Sequence, residues 1–399
     1  MSAFNPRIFT NPGRLKEISP KNLTAFFTPW QAYFLTRGLD LSSASLADLP
    51  YDEIAHILLN PDDSVPEGMV DALYYVHETT NTEAMEDLLE CAEKNWLAFN
   101  ADPEVTVADI AVQIWLVKPE LLQRHHAETV AFTRTSFMYF SGSSAKDASG
   151  SLPKIPEAGF KAMQKTMDIW FEKHRRGRDC SIFAFPRGKK VWLLVRHGTP
   201  MRREGKHEEG GGSGIAFYRP QKHDVLIYDG ETDEIGVNAD TKGERELYLA
   251  TFGAALFGSE TYFDPSERYT LEPLRDAGPK SMACDDIEDI KGVRLVEFGR
   301  IWPGTVPERE IRKGDDLFKA YGENWNLRLG KGSFTHATFK FAFEGTKRER
   351  SVTIRPANIA RYERESDEAT IETWLKARGF WNIQAKDAED ADFEVLDCA

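Results

Sequence analysis

No apolar run in this chain approaches the roughly 18 residues that cross a bilayer, so no membrane partner is expected. The amino-terminal segment carries Pro6, Arg7 and Arg14 but no apolar core, which argues against a secretory leader. Cysteine is scarce: Cys91, Cys180, Cys284 and Cys398 fall at neither a metal-binding nor a disulfide spacing. A reducing, cytoplasmic setting is the expectation. The glycine-rich run 210–214 lacks the Lys-Ser/Thr that a Walker phosphate loop requires. His125, His126 and His207 have no companion ligands at metal spacing. There is no internal repeat. No cofactor is expected, apart from Mg²⁺ under one reading given below.

What is present is enough apolar material for full-sized cores. At 399 residues, 41% hydrophobic and 12% aromatic, the chain has room for two or three domains that need no disulfide or metal. The net charge of −14 disfavours a general nucleic-acid binder, but the charge is segregated along the chain. Residues 40–110 hold seventeen Asp/Glu against Lys94 alone, whereas residues 173–206 hold eleven Lys/Arg against Asp179 and Glu204. A second basic window, 347–364, has six cations against Glu349 and Glu363, and from Asp387 onward there are six acids and no base.

Residues 1–140 read as an acidic helical domain. Thr80 and Glu83 have capping-box spacing, Met85, Leu88, Leu89, Ala92 and Trp96 follow on one face, and Thr106 caps a segment containing Asp109, Ile110 and Ile114. Residues 141–156 read as a Ser/Gly/Pro linker. An amphipathic helix with Phe160, Met163, Met167, Trp170 and His174 on one stripe then stops at Gly177. From Asp179 the period changes to two. Strands are predicted at 181–185 and 190–196 over the turn Pro186-Arg187-Gly188-Lys189, then at 215–218, 224–228 and 234–239. A helix over 244–257, strands at 293–301, 334–343 and 350–355, and a helix over 367–378 complete the pattern. Connections this short imply antiparallel pairing. The expected class is α+β: an all-helical domain, then residues 157–385 as an α+β domain with a basic, mostly antiparallel sheet, then an acidic tail at 386–399.

Three constellations carry candidate chemistry. Arg187, Lys189, Lys190, Arg196, Arg202, Arg203 and Lys206 gather around one predicted hairpin with Trp192, Phe217 and Tyr218 nearby. Arginine forks suit phosphate, and a polyanion engages several cations together. Asp229 and Asp240, with Lys242 two residues further on, have the spacing that resembles the restriction-endonuclease-like pattern, in which two carboxylates hold Mg²⁺ and the lysine steadies a hydroxide. The tetrad Arg196-His197-Gly198-Thr199 after an apolar strand resembles the phosphate signature of the histidine phosphatases, where the His accepts the phosphoryl group and the Arg holds its oxygens. That family sets the motif early in a parallel α/β domain, whereas here it falls within a β-meander. The leading expectation is recognition of a polyanion, nucleic acid foremost, by a subunit of a larger assembly. An Mg²⁺-dependent nuclease, a phosphatase-like site at Arg196-His197 and a protein-binding adaptor are the alternatives.

Overall fold

A computed structural model describes residues 4–80, 84–95, 105–143, 156–208, 211–364 and 367–382. The predicted cap residue Glu83, Trp96, residues 144–155 of the Ser/Gly connection and the acidic tail lie outside the described residues. Two compact units emerge: Met1–Thr129 with Gly205–Ile215, and Val130–Glu204 with Ala216–Ala399.

The first unit is helical. Helices Pro20–Phe27, Gln31–Thr36, Tyr51–Leu59, Glu67–Glu78 and Val107–Val117 bury Phe9, Phe26, Phe27, Phe34, Ile54, Leu73, Ile110 and Ile114 in one core. Ring packing is dense there, with Phe26 and Phe27 at 5.2 Å and Phe27 and Phe34 at 5.0 Å. Thr106 caps Val107–Val117 as its sequence predicts. Asp109 is buried and accepts the Ser19 backbone N–H at 2.8 Å and Asn22 Nδ2 at 3.0 Å, so its charge closes a helix–helix joint.

The strands are β1 (Ser136–Gly142), β2 (Ser181–Arg187), β3 (Lys190–Gly198), β4 (Arg202–Glu208), β5 (Gly212–Tyr218), β6 (Gln221–Asp229), β7 (Glu234–Asn238), β8 (Phe263–Pro265), β9 (Ile290–Trp302), β10 (Glu308–Lys313), β11 (Ser333–Phe343), β12 (Arg350–Arg355) and β13 (Ile359–Arg361); β4 and β5 run partly through Gly205–Ile215 of the first unit, and the others lie in the second. Eleven of these form one sheet in the order β10-β9-β11-β12-β13-β1-β7-β6-β3-β2, with β8 beside β1; every strand pairing described in it is antiparallel. The α+β class therefore holds. Two features depart from the expected layout. Residues 136–142, within the stretch read as helical, form the strand that joins the two halves of the sheet. The 212–218 strand does not continue that sheet but pairs with Arg202–Glu208 in a separate two-stranded ribbon.

Both faces of the central strands are covered, which explains why residues 191–195 are unbroken apolar sequence. Leu193 and Val195 of β3, Leu226 and Tyr228 of β6, and Ile235 and Val237 of β7 pack under helices Glu157–Lys173 and Lys242–Phe257. The alternate residues point the other way, where Trp192 meets Phe132 at 5.0 Å and Phe137 at 5.9 Å. Beyond them, helix Glu368–Ala377 sets Trp374 against Phe339 and Phe341 of β11.

Candidate functional site

Strand parity decides where the chemistry points. His197 is in phase with Leu193 and Val195, so it faces the helices. There it stacks on Phe171 at 4.3 Å and is only 4% exposed. Its Nε2 lies 3.0 Å from Asp224 Oδ2, and its Nδ1 lies 2.9 Å from the Gly198 carbonyl oxygen. Tyr248 on helix Lys242–Phe257 donates its hydroxyl to the same Asp224 oxygen at 2.7 Å. The first turn of that helix adds Glu244. Thr241 caps it through a reciprocal capping box, its hydroxyl accepting the Glu244 N–H while Glu244 Oε2 accepts the Thr241 N–H. Lys222 closes the cluster, with Nζ 3.1 Å from Asp224 Oδ1, 3.0 Å from Asp240 Oδ2 and 2.8 Å from Glu244 Oε1; Arg176 donates to that last oxygen at 2.6 Å.

His197, Asp224 and Glu244 offer one donor atom each within 4.8 Å of one another, the span of a metal centre. The donor set nevertheless does not fit a metal. Two buried carboxylates already face two full cations, and the Lys222 ammonium, within 3.1 Å of both, supplies the positive charge that a divalent ion would bring. Burial by itself would raise the Glu244 carboxyl, but hydrogen bonds from Lys222 and Thr241 outweigh it and hold the group at about 2. Lys222 is itself raised, the pull of Glu244 and the aspartates exceeding its own desolvation. This is a closed ionic lock between sheet and helices, and it leaves His197 without the exposure a phosphoryl acceptor needs.

A second lock occupies the opposite face. Arg268 is buried, 3.9 Å from the Tyr139 ring centre and 3.6 Å from that of Trp381, and it donates to Glu234 at 2.6 Å and Glu372 at 3.5 Å. Lys190 joins it, 3.2 Å from Glu368 and 3.4 Å from Glu372. Asp229 belongs here, its Oδ2 4.0 Å from Lys190. Asp240 lies past the far end of β7 on Lys222, and Lys242 is exposed on Glu246. Asp229 is paired across the turn with Glu234, and Lys222 is seven residues back along β6. At ~3.3 Å per residue that is roughly 23 Å. The three residues of the nuclease pattern therefore do not converge, and no Mg²⁺ site assembles from them.

The seven predicted anion-binding cations are dispersed. Lys190 is locked as above, Lys189 is ion-paired with Glu231, and Arg187 lies 4.4 Å over Phe132. Arg196 is six residues from Lys190, at the other end of β3, over Phe183 at 5.1 Å. Lys206 pairs with Asp63 at 3.0 Å, both within the first unit. The second basic window is partly spent: Arg348 and Arg350 pair with Glu363, Arg350 also with Asp367, and Arg364 is buried, while Lys347, Arg355 and Arg361 are exposed. Arg202 and Arg203 are both exposed on β4, and among the described residues neither has an ion-pair partner.

The β4–β5 ribbon also concentrates apolar surface. Met201 is 41% exposed, Ile215 59%, Phe217 66% and Tyr218 37%. Of fourteen large hydrophobic side chains exposed among the described residues, four fall on this short segment, and elsewhere they are scattered. At the ribbon's base Arg219 is committed to backbone, donating to the carbonyls of Arg175 and Thr199.

Neither a known protein family nor a curated protein matches the sequence. Among the described residues no helix is long and apolar enough to cross a membrane.

Proposed function

We propose that this chain is a polyanion-recognition protein, with nucleic acid as its ligand, that makes contact through the β4–β5 ribbon and acts by binding. One observation carries the reading: Arg202 and Arg203, exposed and without an ion pair among the described residues, occur on the same two paired strands as the exposed rings of Phe217 and Tyr218. Elsewhere in the expected basic patch Lys189 and Lys190 are neutralised by carboxylates and Arg187 and Arg196 lie over aromatic rings, so the ribbon offers a phosphate charge that is not already committed. The aromatic rings add contact area that a purely electrostatic surface lacks. Titration of labelled DNA and RNA with the full chain at low salt tests this. Measurable binding that weakens when Arg202 and Arg203 are both changed to Glu is the expected result; no binding at low salt would refute it.

A further inference from the structure

We infer that the ligand is single-stranded, held by an unpaired base stacked on Phe217; this rests on the polyanion reading above. A two-stranded ribbon is narrow enough for a duplex major groove, so the decision falls on the side chains it carries. Reading base edges requires several donors and acceptors on one face, and Arg202 and Arg203 are successive residues of β4 that fall on opposite faces, with neither Asn nor Gln on either strand. What they expose instead is the Phe217 ring, with Ile215 two residues back on the same side of β5. Inside a duplex such a ring reaches a base face only by unstacking a step, at a few kcal/mol, whereas on a single strand the π-face is already open.

Charge points the same way. Residues 201–219 hold Arg202, Arg203, Lys206 and Arg219 against Glu204, Glu208 and Glu209, four minus three, a net of +1. Arg219 is spent on carbonyls and Lys206 on Asp63, which leaves two arginines for phosphate. Duplex binding is carried largely by phosphate neutralisation, and two cations supply little of it in a chain of net charge −14. Stacking needs no charge and supplies what is missing.

The test uses the full chain, a labelled oligothymidylate of about 15 nucleotides and a duplex of the same length, followed by fluorescence anisotropy over a salt series. The single strand should bind the more tightly, with a shallow slope of about −1.4 in log affinity against log salt, two phosphates at ~0.7 each. Phe217→Ala should weaken single-strand binding by about 5- to 100-fold, Phe217→Trp should retain it, and neither should shift the melting temperature, because the ring is exposed. Duplex binding as tight as single-strand binding, with Phe217→Ala silent, would overturn the strand assignment and leave the polyanion reading standing. Failure of both probes to bind would overturn both. A preference for polyglutamate over either oligonucleotide would assign the ribbon to an acidic protein instead.

Discussion

Replacing Lys222 with Met keeps the stem and removes the ammonium from among three carboxylates. Asp240 is exposed and loses little. Asp224 and Glu244 are the ones that matter, their side chains 2% and 0% exposed. Breaking a buried pair by removing one partner costs about 3–5 kcal/mol. The low end applies, because Glu244 keeps Arg176 and Thr241, and Asp224 keeps Tyr248 and His197. The Glu244 carboxyl gives a similar figure by another route: its fall from 4.5 to about 2 corresponds to about 3 kcal/mol at ~1.4 kcal/mol per unit. For a unit of this size, ~3 kcal/mol corresponds to roughly 6–12 °C in melting temperature. Because Glu244 is lowered on folding, its contribution is complete above the unfolded value of 4.5 and is lost as the pH falls toward about 2. Calorimetry between pH 7 and pH 2.5 should therefore show the wild-type transition of the second unit falling steeply through this window. Lys222→Met should start lower and fall less. Adding Glu244→Gln to Lys222→Met should cost less than Glu244→Gln alone, since the two charges stabilise each other. A Lys222→Met protein melting within about 2 °C of wild type at pH 7 would refute the view that the cluster is an ionic lock.

Two further substitutions probe the packing. Alanine usually stabilises a helix interior relative to glycine by about 0.5–1 kcal/mol, but at Gly253 a Cβ would meet the Ser259 carbonyl oxygen at 2.4 Å and Tyr262 Cβ at 3.1 Å. Gly253→Ala should therefore destabilise by about 1–3 kcal/mol, and thermal melts showing a gain would contradict the close approach of helix and loop. Arg268→Lys keeps the charge but gives up the planar contacts with Tyr139 and Trp381, and should cost about 2 kcal/mol in denaturant unfolding. Arg268→Met takes the cation from Glu234 and leaves Glu372 to Lys190, and should cost more, about 3–5 kcal/mol; the reverse order would mean that stacking, not charge, holds the site.

Much of the sheet was legible because local signals agreed with it. Gly188 at φ 59° completes the tight turn between β2 and β3, Gly258 at φ 71° ends helix Lys242–Phe257, and the alternating Phe339, Phe341 and Phe343 are all buried on β11. Strand β1 was not legible, since it follows a helix directly and its Phe-Met-Tyr-Phe run lacks a period. Nor was β4, whose Arg-Arg-Glu-Gly-Lys-His-Glu carries no β signal and gains order only by pairing with β5. At the candidate site the sequence shows His197 as a candidate but not the direction in which it points. Counting by two from Leu193 puts His197 inward, and counting back from Leu226 puts Asp224 and Lys222 on the same side. The Thr241-Lys242-Gly243-Glu244 capping spacing was also available and would have placed Glu244 over them.

The same parity argument explains why clustering in sequence failed as a guide to an electrostatic surface. Along an extended strand, successive cations fall on opposite faces and six residues separate their ends by about 20 Å, so Lys190 and Arg196 share a strand without sharing a field. Each face of the sheet had then to be covered, and covering it brought carboxylates from helices Lys242–Phe257 and Glu368–Ala377 onto the inward cations, because an unpaired buried charge is far costlier than a paired one. Neutralisation is thus the consequence of burying a charged strand. The ribbon escapes it because β4 and β5 pair with each other, and Arg202 and Arg203 stay exposed to solvent rather than under a helix. Covering them, for instance with two designed helices that set glutamates against the two faces of the ribbon, should abolish nucleic-acid binding while raising the melting temperature; unchanged binding in such a protein would place the contact elsewhere.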